Sequence, residues 1–202
     1  ANGHALACAV TDAGGQAFRV AAVPDELRAL ADTIEDQLVR ADVLITTGGL
    51  SVGQGDTVKD VLAPLGSVRF DAVAMSPGRQ LGVGTVEGTP IFCLPGDPVS
   101  AQIAFETFVR PVLRQIAGRT SLHRSSLPAT ISEGWHSPSG KREFVPVRVN
   151  GSPSRGYRAE PTTPPGTVRL HGLSEANAIA VVPEDTSTVV AGDTLHCLLL
   201  DA

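Results

Sequence analysis

A run of glycines set directly behind an apolar strand constrains this chain more than any other feature. Val43-Leu44-Ile45 has the length and composition of a buried parallel strand, and behind it come Thr46, Thr47, Gly48, Gly49, Gly53 and Gly55. Asp56 or Thr57 can cap the helix that follows, whose apolar positions Val58, Val61, Leu62 and Leu65 have helical spacing and stop at Gly66. Strand, glycine-rich loop and helix in that order place backbone N–H groups beyond the carboxyl end of a strand, where open α/β sheets hold anionic ligands. A tight turn needing positive φ accounts for one or two glycines, but not for four accompanied by Thr47, Ser51, Asp56 and Lys59. Neither G-x-x-x-x-G-K nor G-x-G-x-x-G is present, so the loop points to a phosphate or another oxyanion without saying which.

The rest of the composition narrows the class. The chain has 202 residues, 42% hydrophobic and 18% charged, with a net charge of −5, values of a soluble globular protein of one large or two small domains. A mildly acidic balance argues against nucleic acid as a partner, because affinity for a phosphate backbone comes from clustered Lys and Arg. Cys8, Cys93 and Cys197 lie far apart in apolar contexts, which suits buried hydrophobes in a reducing compartment. No signal peptide, lipidation motif or 18-residue apolar run is present, so no membrane partner is expected and the cytoplasm is the expected location.

Taken in order, the first helix has Asn2 as its expected cap, Ala5, Leu6, Ala9 and Val10 as a narrow apolar face, and Gly14-Gly15 as its end. The chain enters this helix so abruptly that a longer parent protein is expected. Ala17 to Val23 reads as a strand, and Pro24-Asp25 opens a helix to about Arg40 with Leu27, Leu30, Ile34 and Leu38 on one face. Val68 to Met75, Leu81 to Val86 and Pro90 to Leu94 are strand candidates, the first two separated by a turn at Ser76-Pro77-Gly78-Arg79. The third delivers Leu94-Pro95-Gly96-Asp97-Pro98-Val99-Ser100. From there a helix capped by Asp97 runs to Ala117, kinked by Pro111 and closed by Gly118. Alternating helix and strand over residues 1–118 predicts an α/β three-layer sandwich, a mostly parallel sheet with helices on both faces.

Past a polar linker at 119–126 the texture becomes β. Short runs at Leu127–Ser132, Phe144–Val149, Tyr157–Glu160, Ala178–Val182 and Thr194–Leu199, separated by Pro, Gly and Ser clusters, predict a small all-β barrel-like domain over 127–202. Trp135 reads as packing. The five histidines have no metal-ligand spacing, which argues against zinc, and neither Ser51 nor Ser100 lies in a G-x-S-x-G elbow. Asp56 reads either as a helix cap or as a carboxylate at the rim of an anion site, able to hold a metal ion or orient water. Arg79, Lys141 and Arg142 are the cations of interest.

Three ordered motifs then coincide with those of a known family. Thr46 to Gly53 with Asp56 and Lys59, then Pro77-Gly78, then Leu94 to Ser100, resemble the molybdopterin molybdotransferases of the MoeA type, which include the E domain of gephyrin. The resemblance spans this whole chain but only the C-terminal half of that family's proteins, and by it the first strand or strands of the molybdopterin-binding domain are expected to precede residue 1. It implies insertion of molybdate into adenylylated molybdopterin in a magnesium-dependent step that releases AMP. By the same resemblance Asp56 is the essential carboxylate and a magnesium ligand. Thr47, Gly48, Gly49, Ser51, Gly53, Lys59, Pro77, Gly78, Arg79, Pro95 and Gly96 hold the molybdopterin and its phosphates, and Asp97, Pro98, Ser100, Lys141 and Arg142 hold molybdate. A homodimer in the full-length protein and contact with a molybdopterin adenylyltransferase are also implied.

The chain departs from the family at three points. Ser76 stands where a basic residue is common, Asp97 replaces the asparagine of L-P-G-N-P-V-S, and Lys141 replaces an arginine, exchanging a bidentate fork for a point charge. All three bear on molybdate more than on the pterin. Two other readings stay open on this fold: a molybdopterin adenylyltransferase or nucleotide-cleaving relative, and a non-catalytic binding or scaffold module.

Overall fold

The computed structural model describes residues 1–24, 26–50, 57–167 and 169–200. They form two compact units. One comprises residues 1–73 and 80–122, the other residues 74–79 and 123–202.

In the first unit, β1 (Leu44–Thr47), β2 (Gly66–Ala72), β4 (Gln80–Val86) and β5 (Thr89–Leu94) make a four-stranded sheet in the order β1-β5-β4-β2. β1 and β5 are parallel, whereas β4 is antiparallel to both β5 and β2. The sheet is therefore mixed, and its parallel character is confined to the pair that carries the two motif loops. The reason is local: Glu87 (φ 50°) and Gly88 (φ 84°) both take positive φ, the requirement of a two-residue hairpin turn, and so β5 folds straight back on β4.

Strand periodicity sorts the core into two layers, one on each face of the sheet. Phe92 and Leu94 of β5 pack with Leu6 of α1 (Asn2–Asp12), with Ala13 at its C-cap, and with Ala101, Ala104, Phe105 and Val109 of the helix that follows β5. Ile91 and Cys93 point the other way, against Ile34 of α2 (Leu27–Leu38) and Val58, Val61 and Leu62 of α3 (Thr57–Leu65). This is the three-layer sandwich expected.

Several local expectations are corrected. Residues 17–23 form no strand, and Phe18 is 74% exposed, because among the described residues no strand pairs with this segment. Cys8 is exposed, since it falls on the solvent side of α1, while Cys93 and Cys197 are buried. Ala1, not Asn2, occupies the cap position of α1. The helix from Pro98 is interrupted by a π turn at Phe105–Val109, between α4 (Pro98–Ala104) and α5 (Arg110–Ile116). A proline ring collides with the carbonyl four residues before it, and widening the turn ahead of Pro111 relieves that crowding without breaking the helix. Arg110, the first residue of α5 and 5% exposed, donates from Nη1 to Asp12 Oδ2 at 2.9 Å and so fastens the far end of α1.

The second unit is a barrel. β6 (Ser126–Ile131), β8 (Arg142–Ser152), β9 (Gly156–Pro161), β10 (Ala178–Val182) and β12 (Thr194–Leu199) run β10-β12-β6-β9-β8, and β8 pairs back with β10 to close the ring. Closure leaves these strands no open edge. Val145, Val147, Ala159, Ala180, Val182 and Cys197 fill the interior. β3 (Met75–Ser76) belongs to this unit: it pairs in parallel with the start of β8, Met75 with Arg142 and Ser76 with Glu143. β7 (Trp135–His136), β11 (Thr188–Val189) and α6 (Leu170–Glu175) complete it. These short elements have too few residues to show a period in sequence.

Candidate functional site

The parallel pairing of β1 and β5 brings two of the motifs together. Thr47 lies opposite Leu94, and one residue further on Gly48 N–H donates to Leu94 O at 3.1 Å. Beyond that bond the chains diverge into the two loops. Gly48 and Gly49 both take positive φ (84° and 68°), which turns the first loop sharply off the strand. A side-chain carbon on Gly96 would lie 3.4 Å from the Cα of Gly48, so the two loops touch backbone to backbone. At Gly48 itself an added carbon would meet nothing within 4 Å, whereas at Gly49 it would stand 2.6 Å from Val58 Cγ2. Gly49 is thus required by packing on α3, and Gly48 faces open space.

The second loop is fixed at both ends. Asp97 caps α4, its Oδ1 accepting from Ser100 N–H at 2.8 Å, with Pro98 in the first turn and Ser100 buried behind it. On its other side, Gly96 O accepts from the side-chain amide of Asn2 at 2.9 Å, a contact across 94 residues of sequence. Sequence reasoning placed Asn2 as a helix cap. Nothing local signals the longer bond, which depends on α1 lying beside the end of β5.

Thr47, Gly48 and Gly49 are therefore gathered with Pro95, Gly96, Asp97, Pro98 and Ser100 at the carboxyl ends of two adjacent strands. Ser51, Gly53 and Asp56 lie outside the described residues. Lys59, exposed in the first turn of α3, holds its ammonium 5.9 Å from the centre of the Phe70 ring. Pro77, Gly78, Arg79, Lys141 and Arg142 lie in the second unit.

There, Arg142 N–H donates to Ala74 O at 3.0 Å, tying the 74–79 segment to β8. Its guanidinium binds Glu184 Oε2 through Nε and Nη2, at 3.1 and 2.9 Å. Hydrogen bonding from its own backbone N–H, followed by Arg142, holds the Glu184 carboxyl below its ordinary value. Glu143, next along β8 and 2% exposed, accepts the indole N–H of Trp135 at 2.9 Å. In the first unit, burial pushes the Cys93 thiol up to about 11, partly offset by the hydroxyl of Thr46, its partner across the sheet. Among the described residues, no three His, Cys, Asp or Glu side chains are grouped so as to hold a metal ion.

A mixed α/β sandwich with paired loops at its parallel strand ends, and a small β-barrel after it, is a combination with known relatives. Residues 1–115 match the family model described as a probable molybdopterin binding domain, and residues 128–200 match that of the MoeA C-terminal region (domain IV). The chain belongs to this MoeA-type molybdopterin-binding family. It is 36% identical over 201 residues to molybdopterin molybdenumtransferase 2 of Mycobacterium tuberculosis, covering 96% of this chain and 49% of that protein. It is 31% identical over 218 residues to the molybdopterin molybdenumtransferase of Nostoc, covering 98% and 47%. Among solved structures, the molybdopterin biosynthesis MoeA protein of Pyrococcus horikoshii superposes with a TM-score of 0.83 at 26% identity, covering 100% of this chain and 48% of that one. The chain thus spans about half the length of the curated relatives it matches.

Proposed function

We propose that this chain supplies the molybdopterin-binding and C-terminal parts of a molybdopterin molybdenumtransferase. It would act in molybdenum cofactor biosynthesis by inserting molybdate into adenylylated molybdopterin with release of AMP. The observation that carries this reading is the abutment of Gly48 and Gly96 beyond the parallel pair β1–β5. Two glycine loops meeting there, one of them leading into a capped helix, offer backbone N–H groups to a phosphate without side chains in the way. In this reading Thr47, Gly48 and Gly49 receive the pterin phosphates, and the loop from Pro95 to Ser100 borders the oxyanion. Asp97 turns its carboxylate into the cap of α4. By the resemblance Arg79 is assigned to the pterin phosphates, and Lys141 and Arg142 to molybdate, where cationic donors suit an oxyanion.

Asp56 is the carboxylate we assign to magnesium. That ion commonly takes one or two carboxylates together with substrate phosphates and water, where it would neutralise charge as the adenylate leaves. The described residues group no three His, Cys, Asp or Glu side chains into a cage for it. By the resemblance the full-length protein is read as a homodimer in contact with a molybdopterin adenylyltransferase, with the cytoplasm as its expected location.

The test is titration of molybdopterin, and separately its adenylate, into this chain and into Gly48→Asn and Gly48→Asp. Position 48 has room for a side chain, and Asn tolerates positive φ, so the two variants differ chiefly in charge. Binding by the parent, a modest loss in Gly48→Asn and a loss of more than about tenfold beyond that in Gly48→Asp would place a phosphate at the loop. No binding by the parent, or equal binding by all three, would overturn the reading.

A further inference from the structure

From the bond between Asn2 and Gly96 we infer that Asn2 is a positioning residue for the second loop of this site, an inference that rests on the binding function just proposed. Asn2 stands in the first turn of α1, a position where a side chain ordinarily serves its own helix or solvent, yet its amide Nδ2 donates to the carbonyl of Gly96 at 2.9 Å. The helix behind it is a fixed support. Leu6 and Ala13 are in the core, and Asp12 at the opposite end is held by the buried Arg110. α1 therefore acts as a strut with one end in an ion pair and the other on the loop.

The loop needs such a support because of its glycine. A peptide plane next to glycine can rotate at little steric cost, and Gly96 sits against Gly48 with no side chain from either residue to fix its facing. The peptide is planar and trans, so a carbonyl held toward α1 turns the N–H of Asp97 the opposite way. The other two anchors fix only the ends of the loop: Gly48 N–H holds Leu94, and Asp97 holds Ser100. Asn2 sets the plane between them. Without its donor the Gly96–Asp97 peptide loses its preferred orientation, and a ligand must select the competent one.

The experiment compares the chain with Asn2→Ala and Asn2→Asp by molybdopterin titration, thermal melting and amide hydrogen exchange over residues 94–100. Asn2→Ala removes the donor and is expected to weaken binding about five- to tenfold, the worth of a neutral hydrogen bond. Exchange at the loop should quicken while β4 and α5 stay protected. In Asn2→Asp an acceptor faces the carbonyl, so binding should fall further. An acidic first turn favours the helix, so the melting temperature should hold; a merely structural role would move binding and melting together. Unchanged loop exchange in Asn2→Ala overturns the inference, as does quickened exchange with unchanged affinity. Should the parent itself fail to bind molybdopterin, the proposed function falls, and the exchange result still decides whether Asn2 holds the loop.

Discussion

Gly48 and Leu94 are joined by a backbone hydrogen bond of 3.1 Å that is the last rung between β1 and β5 before both chains leave the sheet. Because that rung is shared, the two loops start from one point, and a change in the direction of either is felt by the other.

Gly49→Ala should destabilise the first unit by about 2–4 kcal/mol, read from urea or thermal unfolding. A methyl at that site would stand 2.6 Å from Val58 Cγ2 and must also adopt a φ of 68°, so overpacking adds to left-handed strain. Gly48→Ala, strained but unobstructed, should cost about 1 kcal/mol.

Glu143 serves the second unit as the acceptor for a buried indole N–H. Glu143→Gln keeps an acceptor of the same shape and should change stability by less than about 1 kcal/mol. Glu143→Leu orphans the Trp135 donor and should cost about 2–3 kcal/mol in chemical denaturation.

The thiols should separate by reactivity. At pH 8, Cys8 is exposed and should label quickly, while Cys93 and Cys197, both buried, should react only on unfolding. Burial raises both folded-state thiols to about 11 from an ordinary value of 9.0. Between those values the folded chain holds the proton more tightly than the unfolded one. Stability from these groups is therefore complete below about pH 9 and is lost as pH rises through about 11. Melting temperature followed over that window should fall, and Cys93→Ala should flatten the fall.

Arg142 is engaged by Glu184 in a half-exposed pair. Glu184→Gln should leave melting nearly unchanged and release the guanidinium. If Arg142 serves molybdate, retention of molybdate in equilibrium dialysis should rise a few-fold in Glu184→Gln and fall in Arg142→Ala. No change in either variant would remove Arg142 from the oxyanion's contacts.

The architecture was legible in the sequence where a pattern is local and repeats. Val58, Val61, Leu62 and Leu65 mark α3 at helical spacing, and the structure ends that helix at Leu65 with Gly66 already in β2. Asp97-Pro98 announced the start of α4, and Asp97 caps it. The β texture after residue 126 foretold the barrel. Legibility failed where a residue's role depends on a distant partner. Phe18 and Val20 have the composition of a strand, but hydrogen bonding to a neighbour makes a strand, and composition cannot supply the neighbour.

The sequence by itself determined the elements, the two glycine-rich loops and the family they signal, because side-chain periodicity, caps and turn glycines act over a few residues. Only the tertiary structure decided which of the marked residues meet. It joined Gly48 to Gly96, set Lys59 over Phe70, gave residues 74–79 to the second unit and set Asn2 on the Gly96 carbonyl. Those outcomes follow from strand order and helix placement, which arise from burying both faces of the sheet at once, a condition on the whole chain that no short stretch contains.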